Sequence, residues 1–134
     1  MRHMNYDGPG CPVEACTEVI AGKWKGEILY ILLSGSKRYG ELRRLVPKVT
    51  QRMLTNQLRE LEAAGIVQRR VMEGMPLRVE YSLTASGKDL KPVIRAAWRW
   101  GRSFLKSRAT LLTSNRSHNP ALAGPRFFSS NQVC

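Results

Sequence analysis

Acidic side chains are scarce in this chain: 10 Asp or Glu stand against 22 Lys or Arg in 134 residues, a formal net charge of +12, with a pI near 10.4. An excess of that size points to a polyanionic partner, which leaves nucleic acid, an acidic protein surface or an anionic membrane to choose between. Long hydrophobic runs are missing as well. The longest, Ile28 to Leu33, is far short of the roughly 20 residues that span a bilayer, so no transmembrane helix and no membrane partner are expected. Residues Met1 to Gly10 lack the apolar core of a secretory signal, and the expected location is the cytoplasm. Cysteine and histidine are few: Cys11, Cys16 and Cys134 show no CxxC spacing, and His3 and His118 lie far apart in the terminal segments. That argues against a structural zinc site. No Ser/His/Asp or Cys/His set, phosphate-cradling glycine loop or recognisable carboxylate pair supports catalysis, so neither an enzyme nor a cofactor is expected.

What is present is basic charge concentrated in one region. Lys37 to Arg70 holds nine basic and three acidic side chains, a net +6 of the chain's +12. The length suits one domain with a modest core. We expect residues 1–10 to form a flexible arm, 11–105 the domain, and 106–134 a disordered basic tail, because the apolar pattern gives way after about Ser107 to Ser, Asn, Pro and Gly.

Within the domain, Pro12 suits the first turn of a helix from Val13 to Ala21, with Val13, Cys16, Thr17 and Ile20 on one face. Trp24 to Leu33 is apolar enough all round to be the central buried helix. Tyr39 to Val46, with Tyr39, Leu42 and Leu45 at helical spacing, is closed by Pro47. A helix from Gln51 to Ala64 follows, capped by Thr50, ended by Gly65, and striped with Met53, Leu54, Leu58 and Leu61. Its other face carries Gln51, Arg52, Thr55, Asn56 and Arg59. Such side chains bond base edges and phosphates in a major groove. The period then turns extended in Ile66 to Glu73, breaks at Gly74-Met75-Pro76, and resumes in Arg78 to Leu83, a hairpin with a basic base.

Two short helices followed by such a hairpin read as a winged helix-turn-helix, a mainly α fold with a small β-hairpin wing. The wing lies along the DNA backbone while the preceding helix sits in the groove. This makes Arg69, Arg70 and Arg78 candidates for backbone or minor-groove contacts, together with Lys37, Arg38 and Lys48. Taken singly, each is equally consistent with a solvated surface residue. Thr84 can cap a last helix whose stripe of Leu90, Val93, Ile94, Ala97, Trp98, Gly101, Phe104 and Leu105 exceeds what a small domain buries, with a kink expected near Pro92. The surplus suggests a dimer interface of Val13, Ile20, Val93, Ile94, Ala97, Trp98 and Phe104, unless the stripe packs back on its own chain.

The blocks Cys11-Pro12-Val13-Glu14, Gly22-Lys23-Trp24, Tyr39-Gly40-Glu41-Leu42-Arg43, Leu58 to Gly65 and Arg78 to Thr84 together resemble the HxlR family of bacterial transcription regulators. The resemblance covers roughly Cys11 to Gly101. It implies a MarR-like winged helix-turn-helix homodimer, joined through N- and C-terminal dimerisation helices, that acts as a repressor or activator on double-stranded DNA. It places the recognition helix on Gln51 to Ala64 and the wing on Arg69 to Arg78. This chain departs from the family pattern at Gln51, often proline there, and at the commonly proline-rich wing tip, here Gly74-Met75-Pro76-Leu77. The resemblance also makes Cys11 a candidate sensor of oxidants or electrophiles, consistent with a thiol at a helix N-terminus. A repressor on a pseudo-palindromic operator is the leading expectation. An RNA-binding winged helix and a protein interaction module using the last helix are the alternatives, and no small-molecule effector is identified.

Overall fold

Leucines at helical spacing organise the domain. In the computed structural model, which describes residues 10–116, Leu54, Leu58 and Leu61 are buried along one side of helix α4 (Gln51–Ala63). They meet Ile28, Leu29, Ile31 and Leu32 of α2 (Lys25–Leu32) in a single hydrophobic core. Around this centre stand α1 (Pro12–Ile20), β1 (Lys37–Arg38), α3 (Tyr39–Leu45), β2 (Val67–Met72), β3 (Arg78–Leu83), α5 (Ala85–Asp89) and α6 (Lys91–Arg116). Both boundaries of α4 follow from local chemistry. Thr50 Oγ1 accepts from the Met53 N–H at 3.2 Å, and Gly65 ends the helix at φ +74°, where a side chain would be strained.

The three strands form an antiparallel sheet in the order β1-β3-β2. In the hairpin Val67 pairs with Leu83 and Met72 with Arg78. Strand β1, which pairs Lys37 with Tyr81 and Arg38 with Glu80, was not expected; at two residues it is too short to show a period. Val67, Tyr81 and Leu83 bury one sheet face in the core, whereas the far half of the hairpin is exposed.

Several expected apolar positions differ. Met53 and Leu45 are exposed, and Val46, just past α3, is buried in place of Leu45. No residue of α1 is fully buried. The expected last helix is two helices. Thr84 caps α5 by accepting from the Gly87 N–H at 3.1 Å, and the break falls at Leu90, so that Pro92 sits in the first turn of α6, where its missing N–H is harmless. Nor does the helix stop near Leu105; it continues to Arg116. The stretch read as the start of a tail contains no Gly or Pro before Arg116. Its Ser107, Thr110 and Thr113 hydroxyls bond back to the carbonyls of Ser103, Lys106 and Ala109 at 3.1, 3.0 and 2.8 Å. The expected arm at 1–9 and the remainder of the expected tail lie outside the described residues.

The turn from sheet to α5 is tightly packed. The Thr84 N–H donates to the Ile66 carbonyl at 3.0 Å, and Thr84 Oγ1 donates to the Gly65 carbonyl at 2.6 Å. Gly87 is buried against this junction, where a Cβ would overlap the Ile66 carbonyl and come within 3.2 Å of the Leu83 Cβ. Backbone cannot yield there as a flexible side chain can. We predict that Gly87→Ala destabilises the domain by about 1–3 kcal/mol, the usual cost of overpacking, read as a lower urea midpoint. An unchanged midpoint would show that the junction relaxes.

Candidate nucleic-acid interface

Burial of the α4 leucines forces the opposite side of that helix outward. Arg52, Asn56 and Arg59 are exposed there, free of the core, whereas Gln51, expected on the same face, is the first residue of the helix and lies above Leu58, exposed because the helix begins there. Thr55, expected on the same face, is half-buried at its edge, and its hydroxyl lies 3.0 Å from the Tyr39 hydroxyl. Tyr39 Oη also donates to the Gln51 carbonyl at 3.1 Å. Tyr39 therefore joins the start of α3 to the first turns of α4, setting the angle between the two helices. Its position in an apolar stripe suggested a core residue; nothing in the sequence indicated the clamp.

A second brace lies behind the helix. Lys25, nearly buried at the start of α2, pairs with Glu60 of α4 at 2.6 Å. The partners are distant in sequence, so no spacing rule reveals them. Between α3 and α4, Lys48 is exposed, and its charge favours the ionised form of half-buried Glu27. Burial is the stronger influence and holds the Glu27 carboxyl above its ordinary pKa.

The hairpin divides its arginines between two faces. Strand alternation puts Arg69 on the side of Tyr81, whereas Arg70 and Arg78 share the other side with Glu80 and Met72. Glu80 is paired in register with both Arg70 and Arg38. Lys37 is tied down locally, its Nζ donating to Ser34 Oγ at 3.1 Å. Arg69, Arg70 and Arg78 remain exposed.

The expected dimer residues separate into two groups. Val13, Val93, Ala97 and Phe104 are exposed. Ile94 is instead buried in its own core, Ile20 packs half-buried against that core, and Trp98 stacks on Tyr30 with ring centroids 5.7 Å apart. For these three the alternative of packing back on the same chain applies, because the start of α6 lies across α2. Farther along, Trp100 and Phe104 stack on each other at 4.9 Å while exposed.

Cys11 is exposed at the N-cap of α1. It makes no capping hydrogen bond, yet the backbone N–H of Glu14, and secondarily that of Val13, stabilises its thiolate and holds its pKa below the ordinary value. Cys16 is half-buried. Among the described residues no cluster of His, Cys, Asp or Glu could hold a metal, and no helix is long and apolar enough to cross a membrane.

Two outcomes follow from this geometry. Tyr39→Phe removes both hydroxyl contacts and is expected to cost about 0.5–1.5 kcal/mol of unfolding free energy; no loss in denaturant titration would mean that water replaces the clamp. Because its pKa is lowered, Cys11 is expected to reach full reactivity at lower pH than N-acetylcysteine. Site-resolved mass spectrometry after iodoacetamide pulses measures this, and a matching pH profile would contradict it.

Comparison with known proteins agrees with this architecture. Residues 19–109 match the HxlR-like helix-turn-helix family. The chain is 51% identical over 110 residues to YdeP of Bacillus subtilis (strain 168), an uncharacterized HTH-type transcriptional regulator, covering 82% of this chain and 85% of that protein. It resembles the solved structure of the redox regulator HypR in its oxidized form, with 54% identity, a TM-score of 0.66, and coverage of 69% of this chain and 96% of HypR. For the reduced form of HypR the identity is 51%, the TM-score 0.68, and the coverage 72% and 99%. With its winged helix fold and these relatives, the chain belongs to the HxlR-like helix-turn-helix family and is an HTH-type transcriptional regulator.

Proposed function

We propose that this regulator is a homodimeric repressor that binds a pseudo-palindromic operator, with α4 of each subunit in a major groove and half-sites about one helical turn apart. The observation that carries the reading is the outward face of α4, where Arg52, Asn56 and Arg59 stand exposed opposite three buried leucines, with Gln51 exposed at the helix's first residue. Thr55 supports this face from its edge through Tyr39. Arg52 and Arg59 bond guanine or phosphate, and Gln51 and Asn56 suit adenine. Lys48, Arg69, Arg70 and Arg78 take the backbone, with Lys37 and Arg38 adding to the field.

Dimerisation is supported by apolar surface left over on the helices. Val13 on α1 and Trp100, Phe104, Leu111 and Leu112 on α6 are exposed, and burying them against a second copy removes them from water. Repression follows the simplest mechanism available to a compact dimer, occupation of promoter DNA. The lowered Cys11 pKa, together with the redox regulator HypR among the relatives, supports a sensing role: the thiolate adds to a ring C=C of a quinone, the S–C bond forming as the π pair moves to the carbonyl oxygen, which takes a proton from water to leave a thioether-substituted hydroquinone beside α1 that changes the separation of the two recognition helices.

Selection of duplexes from a random library by the reduced protein, at physiological salt, tests the reading. A two-fold symmetric motif is expected; no enrichment from a soluble dimer overturns it and redirects attention to RNA or protein partners. On the selected site, Arg52→Ala is expected to weaken binding by about 1–3 kcal/mol and to relax one base position. An equal loss on random DNA would assign Arg52 to phosphate. Quinone treatment is expected to change operator affinity for the wild type and not for Cys11→Ser; equal responses would remove Cys11 from sensing.

A further inference from the structure

The tip of the hairpin is built unlike its base. Beyond the last strand pair, Met72 with Arg78, the chain turns through Glu73-Gly74-Met75-Pro76-Leu77, with Gly74 at φ +151°. Met75 is as exposed as in an extended chain, at 101%, and Leu77 is 71% exposed. Val71 and Met72, on the strand leading up to the turn, are exposed too. None of these side chains contributes to the buried core. A tip serving only to hold phosphate would present hydrogen-bond donors or cations. This one presents a flexible thioether, a branched apolar chain and a proline without an N–H, and the exposed carboxylate at its start, Glu73, is outnumbered by the three arginines of the strands. The cations, Arg69, Arg70 and Arg78, sit behind it on the strands.

We propose that the wing tip is an apolar wedge that enters the DNA minor groove and partly unstacks one base step, with Met75 and Leu77 as the inserted side chains and the arginines on the flanking phosphates. This rests on the DNA-binding reading above and adds a mode of recognition to it. Charge selects the occupant. The arginines draw the tip to a polyanion and repel the same basic wing of a second copy. Insertion of Met or Leu between bases removes their surface from water and bends the duplex toward the major groove. The step that yields most easily is pyrimidine–purine, so the wedge confers a preference at a position that no side chain reads by hydrogen bonding.

The test uses the full chain and the duplexes retained by library selection, with 2-aminopurine walked through the regions flanking the half-sites and a fluorophore pair on the duplex ends. With wild-type protein, 2-aminopurine emission is expected to rise at one step in each flank, and energy transfer to report a bend of tens of degrees. The double variant Met75→Ser/Leu77→Ser lies outside the strand pairing and is expected to melt at the wild-type temperature. It should bind roughly tenfold more weakly and, when saturating, give neither signal. Arg52→Ala should weaken binding yet keep both signals at saturation. Bound wild-type protein on straight, silent DNA overturns the wedge while leaving operator binding intact, as does a double variant that bends DNA like the wild type. A change in the DNA-free sedimentation of the double variant would make the tip a protein contact and also overturn the wedge. Failure of the wild type to retain any duplex removes the DNA-binding reading itself, and the wedge with it.

Discussion

Burial of Leu54, Leu58 and Leu61 against α2 is the constraint from which the surface of this protein follows. A fully buried leucine contributes about 1.5–3 kcal/mol, whereas a helix cap such as Thr50 contributes about 1. The three leucines therefore decide how α4 is rotated, and the cap decides only where it begins. Once the rotation is set, Arg52, Asn56 and Arg59 have nowhere to go but outward. The polar contacts then refine a pose that burial has chosen. Tyr39 ties α3 to α4 through the Gln51 carbonyl and the Thr55 hydroxyl, and Lys25 ties α2 to α4 through Glu60. Helix α4 is thus held on two sides, by α3 and by α2.

The same core limits what the rest of the chain can bury. Sheet and helices take up Val67, Tyr81, Leu83 and the first turns of α6 at Ile94. Beyond Trp98, α6 leaves Trp100, Phe104, Leu111 and Leu112 exposed. The molecule thus has two surfaces of different chemistry, a basic one on α4 and the hairpin and an apolar one on the outer part of α6. In a symmetric dimer joined through this part of α6, the apolar surface would set the separation of the basic ones.

Sequence and structure diverge where a residue is held by something distant along the chain. Thr50 and Gly65, and Thr84 in its cap on Gly87, act within a few residues of themselves, and these roles are legible; the bonds of Thr84 to Gly65 and Ile66 are not. Met53 and Leu45 fit a helical stripe equally well, yet they are exposed, because a stripe shows only which side of a helix is apolar and not how wide the neighbouring surface is. The break at Leu90 came out differently from the expected kink because Thr84 closes a separate short helix before Pro92 is reached. Past Leu105, polar composition was read as disorder, although Ser and Thr can bond back to their own helix and the stretch to Arg116 contains no helix breaker.

By itself the sequence determined the order of the first four helices and the hairpin, the winged helix-turn-helix class, the basic region and most of the outward set on α4, because all of these arise from short-range periodicity, capping and charge. Only the tertiary structure decided that Thr55 is shared with Tyr39, that Lys25 braces Glu60, that β1 completes the sheet, and that Ile94 belongs to the core rather than to a free surface. Each of these depends on which residues meet across the chain. That outcome is set by the packing of the whole core and leaves no local trace in the order of the amino acids.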